Sequence, residues 1–181
     1  YTDEDLLEML SRQRQLNFMP SSRHTYSNTG YWLLSQLVKR TSGLSLREFA
    51  AEKIFEPLGM ENTHFHDDHT EIVPDRAYGY APTEDGSYVI SMTTLPMIGD
   101  GGVFTTVEDL FHWDQNFYDP AIGGPEFREK MLTRGVLNDG EVLDYAFGLG
   151  HGTYRGLKTV SHGGSFVGFR AEMVRFPDER F

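Results

Sequence analysis

The sequence predicts an α+β fold in which a mainly helical region, about residues 1–135, precedes antiparallel strands in about residues 136–181. Two observations lead to this prediction. Helix-capping signals and apolar residues at helical spacing occur early in the chain, whereas glycines, aromatic residues and local alternation characterise its last part. Helices and strands are thus segregated and do not alternate as in a βαβ fold.

Capping signals define the first two helices. Thr2 and Asp5 have the spacing of a capping box, and the apolar residues that follow them predict a helix to about Gln15. After the loop NFMPSSRHT, a second run of apolar residues at helical spacing begins at Asn28. Gly43 is placed to end that helix, because glycine readily adopts the left-handed conformation of a helix terminus.

Three further helices are predicted along the chain. Ser45 begins a second capping box, which predicts a helix to about Phe55. Residues 60–98 have no sustained periodicity and are expected to be mostly irregular. Thr106 then caps another helix, and Pro125 suits the first turn of a short one.

The last part of the chain is typical of antiparallel strands. Residues 169–173 alternate between apolar and polar side chains, and glycine-rich, aromatic stretches precede them. The sequence PDER at 177–180 predicts a hairpin turn. A further strand should follow such a turn, so we expect the domain to be incomplete at its C-terminal end.

Composition excludes several classes of function. The formal net charge is −11 and no cluster of Lys or Arg occurs, which argues against binding to nucleic acid. No apolar run is long enough to span a membrane. The chain contains no cysteine, so it has neither a disulfide framework nor a cysteine nucleophile.

The tripeptide Tyr26-Ser27-Asn28 stands at the predicted start of the second helix. In the structural explanation, the Asn28 side chain caps the helix and Tyr26 packs beside it. In the chemical explanation, Tyr26 supplies a phenolic oxygen for proton transfer while the Asn28 amide binds a substrate amide. The local sequence is compatible with both explanations.

The stretch SHGGSFVG, residues 161–168, lies on a predicted strand. Glycines in a strand are typical of a bulge or of a close contact. They also allow a substrate to lie against the strand, with the backbone N–H of Ser165 donating to a developing oxyanion. Ser165 itself is a poor candidate nucleophile, because GGSFV does not match the G-x-S-x-G pattern or its strand-to-helix context.

Two other stretches each have two interpretations. The loop GDGGVFTT either only precedes a capped helix or places Gly101 and Gly102 beside a substrate. The stretch HFHDDH offers His64, His66 and His69 as metal ligands. Its spacings do not present three imidazoles on one rigid face, so we favour a solvated loop without a metal.

Five stretches, in order, resemble the serine β-lactamase and penicillin-binding-protein family, in particular its class C-like branch. They are FMPSSRHTYSNTGYWLL with the helices and PLGM turn that follow, RAYGY, GDGGVFTTVEDLFHW, YAFGLG and HGGSFVGF. Each is weak alone, but their order over most of the chain is specific. The branch includes β-lactamases, D-alanyl-D-alanine carboxypeptidases, D-aminopeptidases and esterases. The resemblance implies a β-lactamase/transpeptidase-like fold, with a helical region beside an antiparallel sheet.

The resemblance also implies roles for individual residues. Tyr26 would act as general base or acid, Asn28 would bind the substrate amide, and the Ser165 N–H would form half of the oxyanion hole. The run His162-Gly163-Gly164 would lie on the strand that lines the site. A small-molecule or peptide substrate, no cofactor, and a periplasmic or extracellular location are what the resemblance suggests.

The chain departs from the family pattern at the nucleophile. The family's serine lies in Ser-x-x-Lys before the tyrosine, whereas Gln36, Ala50, Phe127 and Arg155 stand three residues before the four lysines of this chain. We therefore expect a nucleophile upstream, a domain incomplete at both ends, and no acyl transfer by these 181 residues alone. The alternatives are a genuinely short protein and a pseudoenzyme.

The second departure is His162, where many β-lactamases have lysine. An imidazole with its ordinary pKa of about 6.5 is mostly neutral at pH 7, so it should hold a substrate carboxylate less firmly. Among amide, ester and β-lactam substrates we therefore favour peptidase or esterase chemistry through an acyl-enzyme. The rival functions are a ligand-binding domain without turnover and a metal-binding domain that uses the histidine loop.

Overall fold

The computed structural model describes residues 2–181 and confirms the predicted α+β class. The α-helices are α1 (Asp3–Ser11), α2 (Asn28–Ser42), α3 (Leu46–Ala50), α4 (Glu56–Leu58), α5 (Val107–Gln115) and α6 (Gly124–Leu132). The strands are β1 (His64–Phe65), β2 (Tyr80–Pro82), β3 (Tyr88–Ile90), β4 (Val103–Phe104), β5 (Tyr145–Ala146), β6 (Leu149–Tyr154), β7 (Leu157–Phe166) and β8 (Phe169–Arg175). None of these helices is long and apolar enough to cross a membrane.

The predicted caps are confirmed at three helices. Thr2 and Ser45 each form a complete capping box, and the Thr106 side chain accepts a hydrogen bond from a backbone N–H in the first turn of α5. Helix α1 ends at Ser11, so the prediction that it reaches about Gln15 is wrong. Residues 12–15, RQRQ, add no apolar side chain that could extend its packed face.

The start of α2 corrects one prediction. Ser27 is the N-cap, and its hydroxyl oxygen accepts a hydrogen bond from the N–H of Gly30 at 3.1 Å. Asn28 is the first helical residue, so the capping role predicted for its side chain is wrong. At the other end Gly43 has a φ of 79° and caps the helix as predicted.

The helix that begins at Ser45 runs further than predicted. A π-helical turn, Ala51–Phe55, joins α3 to α4, and the helical run ends at Leu58 and not near Phe55. Residues on this run form the core of the helical region with Met60, and Trp113 of α5 packs against it.

Residues 60–98 are mostly irregular, as predicted, but they contain short strands. β1 pairs with β4, and β2 pairs with β3, both antiparallel. The remaining four strands form one antiparallel sheet in the order β5-β6-β7-β8, which confirms the predicted strands in this part of the chain. Two-residue turns at 155–156 and 167–168 connect β6 to β7 and β7 to β8.

Candidate active site

One half of strand β7 has a free edge. Residues 157–161 pair with β6, whereas residues 162–166 pair with β8 and have no strand on their other side in the described part of the chain. The sequence HGGSF therefore lies at an edge where an extended ligand can approach the backbone. Because Gly163 and Gly164 have no side chains, a ligand can approach their backbone closely.

The register determines which backbone groups point to that edge. Phe166 and Phe169 flank a two-residue turn, so they form a hydrogen-bonded pair, and bonded and non-bonded pairs alternate from there. Gly163 and Ser165 occupy non-bonded positions opposite β8. Their N–H and C=O groups consequently point away from β8, towards the free edge. This orientation is the one that an oxyanion donor at Ser165 requires.

Aromatic side chains gather beside this edge. The ring of Tyr26 lies 6.0 Å from the ring of His162, between centroids, although the two residues are far apart in sequence. Tyr145 of β5 lies 6.4 Å from Tyr26 and 6.0 Å from His162. The ring of His24 lies 5.3 Å from that of Tyr145, tilted by 34°. The loop before α2 and the strand with the paired glycines thus meet at one place.

Hydrogen bonds fix the tautomer of neutral His162. Its Nδ1 lies 2.6 Å from the carbonyl oxygen of Gly163, which only accepts, so Nδ1 carries the proton. Its Nε2 lies 3.0 Å from the hydroxyl of Tyr145 and accepts a hydrogen bond from it. Both nitrogens are therefore engaged within the protein.

The phenol of Tyr145 remains protonated at neutral pH. Burial is the main reason that its pKa is raised to about 12, and the nearby Tyr31 and Tyr26 add to the effect. Burial also raises the pKa of Tyr31. Tyr26, by contrast, is 54% exposed and faces the space beside the β7 edge. Of the three phenols, it is the one that a substrate can reach.

Asn28 lies two residues after Tyr26 and faces a different recess. This cavity has a volume of about 130 Å³ and is lined by Leu6, Met9, Leu10, Asn28, Thr29, Trp32, Met97 and Asp100. The structure thus brings Asn28 next to the glycine-rich loop at Asp100. It brings Tyr26, not Asn28, into contact with His162.

The glycine-rich loop has a structural role of its own. Gly102 has a φ of 85°, and a Cβ there would lie 2.8 Å from the Ile98 side chain. Its carbonyl oxygen accepts a hydrogen bond from the N–H of His66 at 2.7 Å, and that of Gly101 accepts one from Gly99 at 3.2 Å. The predicted contact of Gly101 and Gly102 with substrate stays a prediction.

A second recess lies in the half of the β7–β8 hairpin nearest its turn. It is an open groove of about 590 Å³ lined by Gly163, Gly164, Ser165, Arg170, Ala171 and Glu172. Because side chains alternate along a strand, the positions of Gly163 and Ser165 face away from the His162 ring. Neither Tyr26 nor His162 is among the residues that line the groove.

The tip of the β7–β8 hairpin is held by a close contact between backbones. The N–H of Gly168 donates to the carbonyl oxygen of Ser91 at 3.1 Å, and the N–H of Tyr80 donates to the carbonyl oxygen of Gly168 at 3.3 Å. A Cβ on Gly168 would lie 2.3 Å from the Tyr80 nitrogen, so only glycine fits. The stretches RAYGY and HGGSFVGF therefore meet directly.

The histidine loop forms a different group from the predicted one. His64, His66 and Glu71 place possible ligand atoms within 4.8 Å of one another. His69 is exposed and is not a member of this group, so the alternative interpretation, in which all three histidines are ligands, is wrong. Two imidazoles at alternate positions can share a side of β1, whereas the third falls in the loop beyond it.

Comparison with known proteins identifies the family. The β-lactamase family model matches residues 1–181. The chain belongs to the β-lactamase family. It is 32% identical to penicillin-binding protein 4* of Bacillus subtilis over 98% of the chain and 43% of that protein. It is 29% identical to a D-aminopeptidase of Cereibacter sphaeroides over 98% of the chain and 34% of that protein.

A solved structure shows the same relationship. The octameric penicillin-binding protein homologue from Pyrococcus abyssi is 31% identical to this chain, with a TM-score of 0.79 over 89% of the chain and 37% of that protein. The chain thus spans less than half the length of each of these three relatives.

Sequence reasoning missed Tyr145 as a member of the site. The stretch YAFGLG was one of the five that carry the family resemblance, but its tyrosine received no role. The available signal was an aromatic residue with a hydroxyl at the start of a predicted strand. Only the register of β5, β6 and β7 brings that hydroxyl to His162.

Proposed function

We propose that the whole protein is a serine hydrolase that cleaves amide or ester bonds through an acyl-enzyme. One observation carries the proposal: the exposed phenol of Tyr26 lies beside His162, at the free edge of β7. An acid–base group and a backbone donor at Ser165 that points to the free edge are two of the parts that acyl transfer needs.

The proposal assigns each part of the reaction. A serine outside these 181 residues attacks the substrate carbonyl, since no Ser-x-x-Lys motif occurs within them. Its proton passes, through the motif's lysine and Tyr26, to the leaving amine or alcohol as the carbon–nitrogen or carbon–oxygen bond breaks. The Ser165 N–H donates to the oxyanion, whereas Asn28, which lines a different recess, is assigned no step. Water then attacks the acyl-enzyme, and the serine recovers its proton.

The hydrogen bonds of His162 bear on the substrate class. A lysine at this position would present a cation to a substrate carboxylate, whereas both nitrogens of neutral His162 are already engaged. This favours substrates that lack a carboxylate at that point, such as aminoacyl amides and esters, over β-lactams. The D-aminopeptidase among the relatives supports D-aminoacyl compounds as the class to test first.

Replacement of the phenolic hydroxyl tests the proposal. In the full-length natural protein, Tyr26→Phe should lower kcat/KM for a D-aminoacyl p-nitroanilide by about 10²- to 10⁴-fold, the range typical of a lost acid–base group. Tyr154→Phe is the matched control, because Tyr154 is also 54% exposed but lies at the β6–β7 turn. It should leave the rate within about twofold of the wild type.

Two results would refute the proposal. Equal rates in the two variants would exclude Tyr26 from proton transfer. Tight binding of the substrate without any turnover by the wild-type protein would instead identify a ligand-binding domain on this scaffold. A higher kcat/KM for a chromogenic cephalosporin than for the aminoacyl substrate would overturn only the preferred substrate class.

A further inference from the structure

A group of potential metal ligands lies on β1 and the loop after it, among residues to which the proposed reaction assigns no role. The Nε2 atom of His64 lies 3.3 Å from the Nδ1 atom of His66. The same Nδ1 lies 3.7 Å from a carboxylate oxygen of Glu71. These are two imidazole nitrogens and one carboxylate oxygen, a donor set suited to first-row divalent metals.

One of these separations already matches the geometry of a bound ion. Zinc–nitrogen bonds are about 2.0–2.1 Å long, so two nitrogens at tetrahedral positions are about 3.3–3.4 Å apart. The two histidine nitrogens already have that spacing. We propose that His64, His66 and Glu71 bind a divalent first-row metal ion, with Zn²⁺ the best match to these ligands.

The fold holds the two imidazoles in place. His64 and His66 are two residues apart at β1, so their side chains leave the strand on the same side. The ring of His66 stacks on Phe104 of β4 at 4.3 Å, and its side chain is only 7% exposed. Its Nε2 is buried without a hydrogen-bond partner in the described residues, so its polar contacts are made through Nδ1.

Arg47 positions the third ligand. Its guanidinium donates to both carboxylate oxygens of Glu71 at 2.7 Å and to Asp67 at 2.9 Å. Each carboxylate oxygen has two lone pairs, so Glu71 can accept from Arg47 and still bind a metal. Arg47 would act as an outer-shell partner that orients the carboxylate.

Metal binding can be measured directly in the full-length natural protein. The affinity tag is removed, the protein is stripped with a chelator, and Zn²⁺ alone is titrated by calorimetry. We expect one ion per chain. Added to the stripped protein in place of Zn²⁺, Co²⁺ should give visible absorption bands of a low-symmetry tetrahedral complex. This readout is independent of enzyme activity.

Three variants distinguish this site from adventitious binding. His64→Ala and Glu71→Gln should each weaken binding by more than about tenfold, since even outer-shell partners of metal ligands cost that much. His69→Ala is the matched control, because this exposed histidine lies in the same loop but outside the group, and it should bind as the wild type does. Circular dichroism of each variant shows that the chain is folded.

Two results would overturn the proposal. The first is no stoichiometric binding of Zn²⁺ or Co²⁺ to the wild-type protein. The second is the same affinity in folded His64→Ala as in the wild type. In either case the short contact between His64 and His66 is a direct hydrogen bond between imidazoles and not half of a metal site.

Discussion

Substitution of Gly168 by alanine tests how the β7–β8 hairpin is held. A Cβ at this position would lie 2.3 Å from the backbone nitrogen of Tyr80 and 2.4 Å from the carbonyl carbon of Gly79. Both atoms belong to the backbone, so no change of side-chain rotamer relieves the overlap. The β2–β3 hairpin must therefore move away from the turn between β7 and β8.

The cost follows from the contacts that are lost. The displaced hairpin gives up two backbone hydrogen bonds, from Gly168 to Ser91 and from Tyr80 to Gly168. A typical intramolecular hydrogen bond contributes about 0.5–1.5 kcal/mol net, so the two together contribute about 1–3 kcal/mol. We expect Gly168→Ala to lower the free energy of unfolding by that amount.

Urea denaturation of the full-length protein measures this loss. Gly101→Ala is the control, because a Cβ at Gly101 meets nothing within 4 Å and its φ is not in the left-handed region. It should change stability by less than about 0.5 kcal/mol. If the denaturation midpoint of Gly168→Ala equals that of Gly101→Ala, the two hairpins are not held together at this contact.

Three other predictions follow from the site and the adjoining hairpin. Tyr145→Phe removes the donor to His162 Nε2, and loss of one hydrogen bond should lower kcat/KM about two- to tenfold, with Tyr154→Phe as control. Because the folded-state pKa of Tyr145 is raised to about 12, the folded state keeps a proton that the unfolded state loses above pH 10. Stability should therefore fall as pH rises from 10 towards 12, and the loss should be smaller in Tyr145→Phe. Hydrogen bonds from Thr83 and Ser87 lower the pKa of Asp85 to about 2, so the β2–β3 turn should loosen as pH falls below the unfolded value near 3.8. Faster amide exchange at Ser87 at pH 2 than at pH 5, beyond the intrinsic pH effect, would show this.

Local signals explain why the helices could be predicted. A capping residue, its partner three residues later and a following apolar stripe all lie within one short window, as at Thr2 and Ser45. Neighbouring candidates for the same role are harder to distinguish. At the start of α2, Ser27 and Asn28 are both good caps, and the backbone conformation decides for Ser27.

Long-range pairing explains what could not be predicted. The order of the family motifs, and no local pattern, led us to expect Tyr26, Asn28 and His162 in one cleft; the structure brings Tyr26 to His162 but places Asn28 in a different recess. The contact of Tyr145 with His162 depends on the register between strands. That Glu71 and not His69 lies near His64 and His66 depends on the conformation of the loop after β1. Spacing along the chain carries no information on either contact.

The most direct measurement is the identity of the residue that becomes acylated. The full-length protein is incubated with a D-aminoacyl ester that acylates serine hydrolases, quenched in acid and analysed by peptide mass spectrometry. We predict one acyl group per chain, on the serine of a Ser-x-x-Lys motif outside these 181 residues. The acyl group should accumulate more slowly in Tyr26→Phe. An acyl group on Ser165, lost in Ser165→Ala, would contradict the assignment of that residue as a backbone donor only. No adduct at all, in a wild-type protein that binds the ester, would contradict the acyl-enzyme.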